Sequence, residues 1–239
     1  MSFIQKKLAP FVLITAFYQG YDWLYMPMKT SIEGATLKVR SDLHLARRIY
    51  HMLGAGTIAA LYYFMPRKEM LILFVGFTLL CVCVDLFRLK SKKLNDKLLA
   101  TFGSFVRKSE VNNLTGMTYL TIGVTAIAVI FPKEIVTLSL LMLAVGDPIS
   151  SIFGIMYGKD VLVGKKTLQG TIAGFIACAL VSIVYFSGTG LMSERLILAS
   201  LVAGLIGAIS ELTPVFGLDD NFTFPILSAC LLWAQFSIM

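Results

Sequence analysis

Long apolar runs, separated by short polar or basic stretches, recur along nearly the whole chain. A helix that crosses a bilayer needs about 20 mostly apolar residues. Runs close to that length lie at about 49–65, 69–87, 114–131, 135–152, 168–187, 195–212 and 222–237. An earlier segment, about 9–27, carries Asp22 and many aromatics, and it either spans or lies in the interface. One stretch has a different rhythm. In LKSKKLNDKLLATFGSFVRKSEVNN, Leu94, Leu98, Phe102 and Phe105 recur at spacings of four, four and three, while Lys93, Asp96 and Lys97 turn elsewhere. That stripe predicts a basic amphipathic helix on the membrane surface. The pattern therefore predicts an all-α protein, a polytopic transmembrane helical bundle of about seven or eight spans with one interfacial helix.

Composition agrees. Of 239 residues 57% are hydrophobic and only 15% charged, and the mean hydropathy is +0.79. The spans occupy the chain so fully that we expect a single integral membrane domain over 1–239, with no separate soluble domain and no internal repeat. Cys81, Cys83, Cys178 and Cys230 all fall inside apolar runs and read as small buried hydrophobes, since no metal-type cysteine spacing is present. The start, MSFIQKKLAPFVLITAF, is followed by the bulky YQGYDWLYMPM instead of a small-residue cleavage site, so we expect no cleaved signal.

Charge orients the bundle. If the 88–113 loop is cytoplasmic, so are 28–48, 153–167 and 213–221, and these loops hold most of the chain's 21 basic residues. The net charge of +7 fits membrane orientation and phosphate handling, and no basic-aromatic module suggests a nucleic-acid partner. We expect a multi-pass protein of a bacterial inner membrane or the endoplasmic reticulum, with its chemistry on the cytoplasmic face.

The candidate chemistry gathers on that face. The run AVGDPISSIFGIMYGKD places Asp147 at the end of a span, where an unpaired charge is costly. Around it Gly146, Ser150, Ser151, Gly154 and Gly158 suggest a turn whose backbone can approach a ligand. GKKTLQGTIAG follows, in which Thr167 can cap the next helix while Lys165 and Lys166 face anions. A carboxylate for a divalent metal and lysines for phosphate make two halves of a nucleotide site. The segment GKDVLVGKKT is not a P-loop: five residues separate its glycines, Lys166 stands where Ser or Thr should follow the lysine, and no strand is expected before it. In SELTPVFGLDDNFTFP, Glu211 ends a span, and Asp219, Asp220 and Asn221 serve either as a turn and helix cap or as a second acidic site that holds metal or orients a hydroxyl. Arg47, Arg48 and His51 fall within one helical turn. Asp85, Arg88, Arg107, Lys108, Glu110 and Asn113 surround the amphipathic helix, where Arg107 and Glu110 could simply pair at i, i+3.

In order along the chain, RRIYH (47–51), DLFR (85–88), VRKSEVNNLTG (106–116), GDPISSIFG (146–154), YGK (157–159), GKKTLQGTIAG (164–174) and LDDNFTFP (218–225) resemble the CTP-dependent lipid kinases: dolichol kinase, phytol kinase and the yeast-type diacylglycerol kinase. The arginine–glutamate motif followed by Asn and Gly is most similar to the diacylglycerol kinase branch. The resemblance implies transfer of the CTP γ-phosphate to the hydroxyl of a lipid alcohol, with Mg²⁺ or another divalent cation. It maps the CTP region onto Asp147, Gly154, Lys159, Gly164, Lys165 and Lys166. It adds Arg47, Arg48, Arg107, Lys108 and Glu110 as further site residues. The expected roles are Asp147 on the metal, Lys165 and Lys166 on phosphate, Asp219 or Asp220 on metal or lipid hydroxyl, and Arg107 on the transferring charge. Two rivals are a phosphatidate cytidylyltransferase, whose Asp-Arg-x-Asp signature is absent, and a small transporter, which would gather its polar groups at the bilayer centre.

Overall fold

In a computed structural model, residues 45–102, 106, 110–213 and 218–239 are described. The segment 9–27, Phe105, Arg107 and Lys108 lie outside the described residues, as does the side chain of Arg47. The helices are α1 (Leu45–Phe64), α2 (Arg67–Lys90), α3 (Lys92–Phe102), α4 (Gly116–Ile130), α5 (Lys133–Tyr157), α6 (Leu168–Thr189), α7 (Leu196–Leu212) and α8 (Asp220–Ile238). Each of the seven expected spans is a helix. Five of the described helices are long and apolar enough to cross a membrane, α4 being shorter and apolar.

Helix ends follow local chemistry. Pro66 and Pro132 hold extended backbone just before α2 and α5. Thr115, Thr167 and Asp219 cap α4, α6 and α8 by accepting from the amides of Thr118, Gly170 and Asn221. Successive helices run up and down. At one end Lys133 Nζ donates to Met65 O and Tyr185 Oη to Glu134 O. At the other end Asn221 Nδ2 donates to Gly116 O, which ties α8 to α4. This second end carries the polar residues.

Helix α5 is the axis of the bundle, packed against α1, α6 and α8. Two-thirds of its apolar window (67%) is buried inside the protein, against 17% in α2, so α2 lies at the rim with Ile72, Leu79 and Phe87 facing outward. Apolar outer faces on long helices are what a hydrocarbon solvent permits.

Two expectations are corrected here. No Gly/Ser turn follows Asp147: α5 continues unbroken through Pro148 to Tyr157. Gly146, Ser150 and Gly154 recur every fourth residue along its face toward α6, and Gly170, Gly174 and Cys178 answer them. A β-carbon on Gly146 would stand 2.4 Å from Cys178 Sγ, and one on Gly170 2.6 Å from Ser150 O. The spacing serves close helix packing, the small-residue seam of membrane bundles. Second, the connector from α5 to α6 holds a small antiparallel hairpin, β1 (Val161–Val163) and β2 (Lys166–Thr167). Both strands lie within 158–167 and helix α5 precedes that segment, so no strand leads into it, and a lone hairpin lacks the parallel sheet of a P-loop. The stripe on α3 is also shifted by one residue: Asn95 and Leu99 are buried while Leu94 is exposed.

Candidate active site

The hairpin decides which lysine points inward. Its two-residue turn begins at Gly164 with φ of +59°, a left-handed backbone that glycine adopts without strain. Lys165 completes the turn and is exposed. Lys166 begins β2 and turns toward the bundle, so the expected pair of phosphate lysines separates.

Lys166 Nζ lies 3.1 Å from Glu211 Oε1 and 3.5 Å from Asp220 Oδ2, and it also donates to Glu211 O. One cation thereby joins the hairpin, the last turn of α7 and the first turn of α8. Burial lowers the Lys166 pKa, but the negative charges of Glu211, Asp220 and Asp147 outweigh it and raise the ammonium above its ordinary value. Raised from 10.5, Lys166 stays cationic below that value, and its ion-pair stabilisation is lost only as pH climbs through the folded pKa.

Asp147 stands on α5 beside this group. Its Oδ2 is 3.8 Å from His51 Nε2 on α1. His51 Nε2 and Glu211 Oε2 are buried and make no hydrogen bond among the described residues. Polar atoms left open in an apolar bundle are costly unless something else completes them.

A second polar group adjoins the first. Arg88 Nε donates to Asp85 Oδ1 at 2.7 Å, and the guanidinium also bonds Asn95 Oδ1 and the backbone oxygens of Glu110, Val111 and Asn113. Asp85 Oδ2 accepts from Thr115 N, Thr115 Oγ1 and Thr118 Oγ1. Thus α2, α3, the 110–116 segment and the start of α4 are tied around one pair. Glu110, Asp219 and Asn221 converge on Gly116: a β-carbon there would lie 2.7 Å from Asn221 Nδ2, 3.3 Å from Glu110 Oε1 and 3.8 Å from Asp219 Oδ1.

Of the residues expected from sequence, Asp147, Lys166 and Asp220 come together. Asp219 is a helix cap, as is Thr167. Lys159 lies exposed, its amide donating to Gln169 Oε1. Gly146 and Gly154 face α6 and Thr167 instead of lining a loop. Arg48 lies half-buried in the first turn of α1, and Glu110 is buried beside α8. Glu211 and His51 are the members that sequence had not placed in the site. A carboxylate closing a span and a histidine one turn from an arginine pair are the signals each left.

Among the described residues no group of three His, Cys, Asp or Glu side chains is placed to hold a metal. Two carboxylates converge on the Lys166 ammonium instead. The donor set fits an ion such as Mg²⁺ that arrives on phosphates and takes one or two carboxylates from the protein, not a resident metal cage.

No protein-family model and no solved structure matches the chain. It is 33% identical over 141 residues to CTP-dependent diacylglycerol kinase 1 of Schizosaccharomyces pombe, covering 55% of this chain and 65% of that one. It is 27% identical over 167 residues to the protein of that name from Saccharomyces cerevisiae, covering 61% and 57%. An uncharacterised protein of Rickettsia prowazekii is 26% identical over 195 residues, covering 80% of this chain and 93% of its own. The chain thus spans less than two-thirds of the length of these fungal relatives.

Proposed function

Starting from the kinship of this chain with the CTP-dependent lipid kinase family, we propose that it transfers the γ-phosphoryl group of CTP to the hydroxyl of a membrane lipid alcohol. Diacylglycerol is the first acceptor to test, because the fungal relatives bear its name; polyprenols and phytol present the same hydroxyl and an apolar tail. The observation that carries the reading is the meeting of Lys166 with Glu211 and Asp220 beside Asp147, four elements converging at one end of a membrane bundle.

Phosphoryl transfer asks for positioning and charge neutralisation more than for covalent help from the protein. Lys166 supplies a fixed positive charge for the phosphate oxygens. Glu211 holds it from below through both its side chain and its backbone oxygen, so the ammonium need not reorganise when nucleotide binds. Asp147 would hold a divalent ion that arrives on the CTP phosphates and would neutralise charge on the transferred group. Asp220, at the mouth of the cluster, orients the lipid hydroxyl and takes its proton. The hydroxyl oxygen bonds to the γ-phosphorus, the bond from γ-phosphorus to the β–γ bridging oxygen breaks, and CDP leaves. Glu110 supports the start of α8 from beside Gly116 and Asn221. Arg107 and Lys108 add charge at the phosphates, as do Arg47, Arg48 and the exposed Lys159 and Lys165.

Purified protein given γ-labelled CTP and each lipid alcohol in turn tests this reading. Labelled phospholipid with equimolar CDP is the expected result. Pyrophosphate release instead would assign a cytidylyltransferase, and lipid left unlabelled with any nucleotide would overturn the proposal.

A further inference from the structure

Beyond the polar cluster, toward the opposite end of the bundle, α1, α5 and α6 part to leave a cleft of about 590 Å³. Its walls include Ala60, Tyr63, Leu141, Val181, Val184 and Gly188. Apolar surface dominates that lining. Ala60, Val184 and Gly188 are exposed, so the cleft opens sideways where a bilayer's hydrocarbon would lie. Toward its far end lies Tyr185, whose hydroxyl donates to Glu134 O.

The cleft lies on the same two helices as the His51–Asp147 contact. At 1.5 Å per residue, Leu141 lies about 9 Å along α5 from Asp147, and Thr137 about 15 Å. A leaflet's hydrocarbon is also about 15 Å deep, half of the bilayer core. A lipid whose hydroxyl sits at Asp147 thus has the distal part of its chain at the depth of the near part of this cleft, between Leu141 and Thr137, while Tyr185 and Gly188 lie deeper still.

We propose that the α1–α5–α6 cleft is the binding site for the distal half of the acceptor lipid's hydrocarbon chain. This rests on the kinase reading for the identity of the headgroup, and it deepens that reading by making acceptor preference depend on chain length. Long chains fill the cleft and displace bilayer lipid from a shaped apolar wall; chains too short to pass Leu141 gain nothing from it.

The test fills the cleft. Leu180 lines the cleft, is exposed on α6, and lies two residues past the Cys178–Met142 contact and so at the depth of Leu141; Leu180→Trp fills the cleft there. Ala60, exposed in the cleft lining nine residues along α1 from His51, gives Ala60→Phe as a second filling variant from the facing wall. Each variant, in detergent with its lipid, is assayed with a dioleoyl and a dioctanoyl acceptor. The expected result is an apparent KM for the dioleoyl acceptor raised about tenfold, with dioctanoyl kinetics unchanged. Equal effects on both acceptors, or none on either, overturn the cleft assignment. A photoreactive diazirine at the end of a long-chain lipid alcohol gives a readout independent of turnover. Labelling of Leu141 or Val181, competed by unlabelled long-chain alcohol, supports the cleft even if no lipid is phosphorylated. Uncompeted labelling spread over α2 and α8 removes it, whether or not the protein proves to be a kinase.

Discussion

Two buried polar groups sit side by side at one end of this bundle, and they are finished to different degrees. Around Asp85 and Arg88, both carboxylate oxygens have donors and the guanidinium reaches three backbone oxygens besides its aspartate. Around Lys166, Glu211 Oε2 and His51 Nε2 are buried without a hydrogen bond among the described residues, and Asp147 lies 3.8 Å from the histidine. The first group closes on itself and joins four segments. The second leaves acceptor and donor capacity open in a place where leaving it open is costly. A saturated, fully buried network does architecture, and an unsaturated one that is partly open to its surroundings is where a ligand is expected.

That contrast can be broken at several points. Asp147→Asn has the largest expected effect: transfer from CTP falls by at least about a hundredfold, as when a group acting only on the transition state is removed, while the protein stays monodisperse in detergent. Near-normal turnover would take Asp147 out of the chemistry. Arg88→Met should act in the opposite way. It strands Asp85 without its cation and costs about 3–5 kcal/mol, read as a lowered thermal midpoint; any folded fraction should keep its KM for CTP. Gly146→Ala is predicted to cost about 1–3 kcal/mol through the clash with Cys178, and Cys178→Ala should recover much of it. Lys165→Gln should change little, raising the KM for CTP by no more than about threefold, as suits an exposed charge.

Much of the architecture could be read from hydrophobic spacing alone, because each span is nearly as long as the bilayer is thick. The caps at Thr167 and the Asp219 turn were legible for the same local reason. What failed were readings that needed a neighbour. Gly146, Ser150 and Gly154 look alike whether they loosen a turn or let two helices touch, and only the opposing Gly170, Gly174 and Cys178 decide it. Lys165 and Lys166 are equivalent as letters, and the hairpin register separates them. Glu211 was visible as a carboxylate at the end of a span, but its partner lies 45 positions away in sequence. Asp85 and Arg88 were visible as charges beside the amphipathic helix; that they pair and close over the 110–116 backbone was not.

The division between an architectural and a working cluster is tested most directly at Lys166 itself. Lys166→Met alone leaves Glu211 buried without its cation, so it should lose both stability and transfer. The double substitution Lys166→Met, Glu211→Leu replaces the pair with apolar side chains, and thermal unfolding should return close to the parent value while transfer from CTP stays lost. Recovery of transfer along with stability would show that the pair only holds helices together, and would contradict the assignment of this cluster to phosphate chemistry.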